Sequence, residues 1–179
     1  MTSERAETVW EGKYIKVTKQ GTWEYVSRTR GVSAAVILAV DGDHVILVEQ
    51  YRVPLGARSL ELPAGLVGDE EQGEEVKAAA IRELEEETGY RAERMVDLGR
   101  FHASPGMSSE GFSLLRAEGL IRTGKGGGIE GEDIAVHRIR LKDVPDFVES
   151  RRREGVQIDV KILLLLGSAF LQPVRLGDN

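Results

Sequence analysis

The sequence predicts a mixed α/β fold in which helices pack on a mixed β-sheet, not a run of βαβ units. Three observations carry this. Short stretches of alternating apolar and polar residues, bounded by turn residues, recur from residue 23 to 62 and again from 95 to 140. One stretch without Gly or Pro, 74–88, interrupts them and is rich in Ala, Leu, Glu, Lys and Arg. Two more helical patterns close the chain, at 144–153 and 159–171.

Residues 23–28 alternate and read as a strand. Strands at 33–40 and 45–49 are separated by Asp41-Gly42-Asp43, and Asp-Gly is a strong hairpin signal. A strand at 59–62 runs into Pro63-Ala64-Gly65. From residue 74 the period becomes helical for about four turns, with Gly89 as the stop. Strands follow near 95–102, 111–117 and 133–140. Between the last two, residues 124–131 hold five glycines in eight positions, which predicts a mobile loop. In the final helix Ile162, Leu163, Leu166, Ala169 and Phe170 fall on or near one face.

The 179 residues are 41% hydrophobic and 30% charged, enough for one domain with a core of its own. With no cysteine, disulfides, thiol nucleophiles and cysteine-ligated metals are excluded. Lys+Arg 24 against Asp+Glu 30 leaves a net charge of −6, so no nucleic-acid partner is expected. The most apolar stretches, 32–40 and 162–171, are too short to span a bilayer, and no membrane partner is expected. The first residues, Met-Thr-Ser-Glu-Arg-Ala-Glu, lack the apolar core of a signal peptide, and a cytoplasmic location is expected. Three histidines without G-x-S-x-G give little support to covalent catalysis.

The segment Arg82-Glu83-Leu84-Glu85-Glu86-Glu87-Thr88-Gly89-Tyr90 is the most informative. At about 100° per residue, Glu83, Glu86 and Glu87 share one helix face, beside an apolar stripe of Val76, Ala80 and Leu84. The carboxylates therefore border the core-packed surface, where their mutual repulsion is expensive and a cation would remove it. Several carboxylates without Cys or His point to Mg²⁺ or Mn²⁺, not zinc.

This segment resembles the second half of the Nudix box, G-x5-E-x7-R-E-U-x-E-E-x-G-U, and Gly68-x5-Glu74-x7-Arg82 completes it. The resemblance implies a Nudix hydrolase fold, a mixed sheet between helices, with Glu83, Glu86 and Glu87 as metal-facing carboxylates and Arg82 with Glu74 as an orienting ion pair. Relatives with Pro-Ala-Gly before the helix use that glycine structurally and the preceding carbonyl as a metal ligand. Here those are Gly65 and Ala64, and Gly65 is preferred over Gly68.

The rest of the chain is similar to the ADP-ribose pyrophosphatase branch. Glu49-Gln50-Tyr51-Arg52 resembles the strand whose arginine contacts ligand, and Ser104-Pro105-Gly106-Met107-Ser108-Ser109-Glu110 resembles that branch's S/D-P-G-x-S-x-E segment. Tyr14, Trp23 and Glu24 lie in segments whose aromatics sandwich adenine across a dimer interface, although Tyr14 stands where relatives carry tryptophan. The implied substrate-binding set is Tyr14, Trp23, Glu24, Arg52, Pro105, Gly106, Met107 and Glu110. The implied general base is a glutamate of the glycine-rich loop, Glu130 ranked above Glu132, with Glu86 a further catalytic candidate. Residues 1–30 are expected to form a dimerising strand segment and 31–179 the hydrolase domain. The expected reaction is Mg²⁺-dependent hydrolysis of ADP-ribose to AMP and ribose 5-phosphate by a homodimer. The alternatives are a broader nucleoside diphosphate sugar hydrolase, acting for example on GDP-mannose, and a non-catalytic nucleotide sensor.

Overall fold

The computed structural model describes residues 5–29, 33–67, 75–129 and 131–170. The chain begins with an antiparallel three-stranded sheet of β1 (Glu7–Glu11), β2 (Ile15–Gln20) and β3 (Trp23–Arg28). β1 is exposed along its whole length, so it has no inward face to impose an alternating pattern, and only β3 is evident in the sequence.

The main sheet has eight strands. They are β4 (Ser33–Asp41), β5 (His44–Arg52), β6 (Ala57–Glu61), β7 (Ala64–Val67), β8 (Tyr90–His102), β9 (Gly111–Arg122), β10 (Ala135–Arg140) and β11 (Gln157–Ile158). β4 turns into β5 through Gly42, which sits at φ +60° as the Asp-Gly signal requires. β4 also pairs parallel with β9 and antiparallel with β7, and β11 pairs parallel with β6, so the sheet is mixed.

The sheet lies between helices, and β4 shows why. Ala35, Ile37 and Ala39 point to one face and pack with Ala79, Ala80 and Leu84 of α1 (Val76–Thr88). Val36, Leu38 and Val40 point to the other and pack with Val144 and Val148 of α2 (Val144–Arg153) and with Ile162 and Leu166. A strand covered on both faces is a continuous apolar run, as 33–40 is. Truncating a buried side chain such as Ile37 to Ala costs about 2–5 kcal/mol.

The end of the chain differs from the expected helix. The Asp159 side chain accepts from Lys161 N at 2.8 Å, opening a 3-10 turn, Val160–Ile162, before α3 (Leu163–Phe170). Ile162 and Leu166 are buried, but Leu163 and Phe170 are exposed. With four consecutive leucines, periodicity alone does not select the buried face. β8 starts at Tyr90, not near 95, because Gly89 takes the left-handed conformation (φ +70°) and turns the chain from α1 straight into the strand. Among the described residues, no helix is long and apolar enough to cross a membrane.

Candidate active site

The carboxylates of α1 lie where β7 crosses the helix. A Cβ on Gly65 would overlap the Glu83 carboxyl group where it stands, so a side chain here would push Glu83 aside. This supports Gly65 as the structural glycine. Gly68 and Glu74 lie outside the described residues. Beside Gly65, the Ala64 N–H donates to Glu87 Oε2 at 3.1 Å. Glu87 is 6% exposed, and desolvation pushes its pKa up to about 8, with the charges of Glu83 and Glu132 adding to the shift. Arg82 Nη1 lies 3.1 Å from Glu83 Oε1 and 3.2 Å from Glu86 Oε2.

Among the described residues no three acidic or imidazole side chains already converge as a closed ligand cluster. The groups that do gather are oxygen donors around a buried carboxyl whose charge is uncompensated enough to hold a proton near neutrality. That donor set fits a hard divalent cation, which would displace the proton and compete with Arg82 for Glu83 and Glu86.

Ala64 and Gly65 also line a cavity of about 470 Å³, together with Arg28, Arg52, Glu61, Glu110, Phe112 and Lys161. Each of its cations already has a carboxylate. Arg52 holds Glu61 through Nε at 2.8 Å and Nη2 at 2.6 Å, Arg28 Nε holds Glu110 at 2.6 Å, and Lys161 Nζ holds Asp159 at 2.7 Å. The bond to buried Glu61 is the main cause of Arg52's raised pKa. Of these residues Arg52 and Glu110 are expected from the sequence. Arg28 ends β3 and Lys161 belongs to the 3-10 turn before α3, and no sequence signal marks either.

A smaller cavity of about 170 Å³ brings Trp23 together with Gln20, Tyr25, Pro105, Gly106, Ser108 and Ser109. It exists because the 104–109 segment adds onto β3, with Val26 N donating to Met107 O and Ser109 N to Val26 O, both at 2.9 Å. Met107 itself is exposed, as is Glu24. Tyr14 is not brought to Trp23. It precedes Ile15, which pairs with Arg28, whereas Trp23 pairs with Gln20 at the opposite end of the hairpin. At the rise of a strand, the two aromatics stand about 20 Å apart.

The described part of the glycine-rich segment contacts α1. Gly127 N donates to Glu87 O at 2.8 Å and Gly128 N to Glu86 O at 3.0 Å, so the segment is docked on the last turn of α1. Glu132 Oε2 accepts from Ile129 N at 3.0 Å, and its charge is felt by Glu87. Glu130 lies outside the described residues.

The NUDIX domain profile matches residues 29–130. The chain belongs to the Nudix family. A methanol dehydrogenase activator from Bacillus methanolicus is 36% identical over 157 residues, covering 83% of each chain. An ADP-ribose pyrophosphatase from Bacillus subtilis (strain 168) is 38% identical over 120 residues, covering 66% of this chain and 63% of that one. A crystal structure of an ADP compounds hydrolase superposes with a TM-score of 0.70 at 25% identity, covering 94% of this chain and 93% of that one.

Proposed function

We propose that this Nudix hydrolase cleaves the diphosphate of ADP-ribose to AMP and ribose 5-phosphate, with Mg²⁺ as its cation and Mn²⁺ as a substitute. The observation that carries the reading is that Ala64 and Gly65 touch two unlike surfaces. They meet Glu83 and Glu87, and they line a cavity of about 470 Å³ whose charges are balanced in pairs. A divalent cation bound by Glu83, Glu86, Glu87 and the Ala64 carbonyl would supply positive charge over a diphosphate and acidify water. A net acidic chain has little other means of holding that substrate.

The remaining roles fall to the chain's own side chains. Arg52 and Glu110, in their pairs with Glu61 and Arg28, offer donors and acceptors to ribose hydroxyls and phosphate oxygens. Trp23, Pro105 and Gly106 offer an apolar slot for the base, with Glu24 and Met107 at its rim. Glu132 is the loop carboxylate that takes the proton of the attacking water. The bond from Ile129 N, which fixes its position, and its electrostatic influence on Glu87 support that role. Glu130 is the other candidate.

We propose a homodimer because Tyr14 and Trp23, exposed at opposite ends of one hairpin, can flank a single base only if a second copy brings its own aromatic across. A broader specificity for nucleoside diphosphate sugars, GDP-mannose included, is the second reading. The ion-paired cavity favours hydroxyl recognition and names no particular sugar.

AMP release from ADP-ribose with and without Mg²⁺ tests the reading, and a panel of nucleoside diphosphate sugars ranks the substrates. Cation-dependent turnover with the highest kcat/KM for ADP-ribose is expected. Tight ADP-ribose binding without turnover would make the chain a sensor.

A further inference from the structure

The glycines of 124–128 make backbone-to-backbone contact with α1. The last carbonyls of a helix have no partner within it. Here Thr123 N and Gly124 N donate to Gly89 O at 2.8 and 3.1 Å, ahead of the Gly127 and Gly128 bonds to Glu87 O and Glu86 O. Gly126 sits at φ +67°, and a Cβ on it would overlap the Thr88 carbonyl carbon. The glycines therefore serve close approach at this point, and the residues they cap are two of the metal-facing glutamates.

Downstream, the segment is fastened a second time. Asp133 Oδ2 accepts from Arg58 Nη1 at 2.8 Å, and the Asp133 carbonyl accepts from Arg58 Nη2 at 3.3 Å. Arg58 is itself held by β5, with Nε on Glu49 Oε1 and Nη2 on the Glu49 carbonyl, both at 2.8 Å. Glu49 is buried and also lies 3.1 Å from His137 Nε2. The guanidinium is thus oriented before it reaches the loop. Next to Asp133, Ile134 is buried and anchors the chain. Glu132 falls between the two fastenings, its carboxylate against Gly128 and Ile129 N.

We infer that Arg58 and Asp133 are positioning residues that, with the glycine contacts, hold Glu132 at the metal-facing end of α1. The inference rests on the reading of Glu132 as the loop base. Stability does not account for the pair. The Asp133 side chain is 87% exposed, and an ion pair in water contributes little to folding. Its use lies in geometry: a base must stand within hydrogen-bond reach of the proton it takes.

The test combines kinetics with hydrogen exchange on Asp133→Ala, Glu132→Gln and the double variant. Asp133→Ala is expected to lower kcat by about 10-fold or more, with KM within about threefold and thermal stability unchanged. The deficit should narrow as pH rises, because hydroxide replaces a misplaced base. In the Glu132→Gln background, Asp133→Ala should add less than about twofold, since residues acting as one unit are not additive. In hydrogen exchange, the Gly127 and Gly128 amides should be protected in the wild type. Asp133→Ala should speed exchange at Ile129 and Glu132 but not within α1.

Three results would overturn the positioning role while leaving Glu132 as the base: wild-type kcat in Asp133→Ala, multiplied losses in the double variant, or unprotected Gly127 and Gly128 amides. Wild-type kcat in Glu132→Gln would instead remove the base assignment, and the positioning role with it.

Discussion

Beside Ala64 and Gly65, Glu83 and Glu86 converge on Arg82 while Glu87 is buried with the Ala64 amide. On the cavity side, Arg28, Arg52 and Lys161 each hold a carboxylate. The first surface sets three carboxylates against one arginine, and burial, with the charges of Glu83 and Glu132 adding to it, pushes the Glu87 carboxyl up to about 8. The second is balanced before any ligand arrives. A surface with excess charge is completed by a cation and draws its free energy from neutralisation. A balanced surface selects by hydrogen-bond geometry, because bringing in a charge leaves one partner unpaired. Ala64 and Gly65, which touch both, are where a diphosphate would meet the two.

The comparison breaks most readily at Glu87. Glu87→Gln removes a carboxylate charge without changing shape. Turnover should fall at least about 100-fold at saturating Mg²⁺, with folding intact or improved. Glu86→Gln should behave similarly. Wild-type turnover in either variant would take that residue out of the catalytic set.

On the balanced side the expected losses are smaller and appear in binding. Arg52→Lys keeps a charge but loses the two-pronged contact with Glu61. A KM increase of about 10-fold with kcat little changed would mark a residue that binds ground and transition states alike. A kcat loss without a KM change would place Arg52 with the metal-facing group instead.

The pH dependence sharpens the contrast. A carboxyl whose folded pKa is raised above its unfolded value leaves the folded state binding the extra proton. The metal-free protein should therefore lose stability as pH rises from about 4.5 towards 8, the interval between the two Glu87 values. Mg²⁺ should restore more stability at pH 8 than at pH 6. Thermal melts of wild type and Glu87→Gln at both pH values check this, and the slope attributed to Glu87 should be absent from the variant.

The smallest expected effect concerns the aromatics. Trp23→Ala and Tyr14→Ala should each raise KM for ADP-ribose about 10-fold or less, the value of one stacking contact. Sedimentation at micromolar concentration should give a dimer. A monomer would leave Tyr14 and Trp23 unable to share a base.

Much of this arrangement is legible in the sequence where a regular period meets a buried face. The i, i+3, i+4 spacing of Glu83, Glu86 and Glu87 and the two-sided apolar run of β4 are of this kind. The bounds of β3 and α2 match the sequence reading for the same reason. What stays hidden depends on distant partners. Arg28 and Arg58 look like ordinary surface cations until Glu110 and the loop at Asp133 are brought beside them, and Lys161 until the fold turns it into the cavity. Glycine is ambiguous in a different way. It permits both mobility and close approach, and for 124–128 the deciding partner is the end of α1. β1, exposed along its length in the three-stranded sheet that opens the chain, offers no burial pattern to read.

Calorimetric titration of the metal-free protein with Mn²⁺ at pH 7.5, repeated in buffers of different ionisation enthalpy, tests the central claim most directly. If Glu87 and its neighbours form a surface completed by a cation, wild type binds Mn²⁺ and releases a proton, since the ion displaces the one held by Glu87. Glu87→Gln should then bind at least about 10-fold more weakly and release none. Equal affinity in the two proteins, with no proton released by either, would contradict the account.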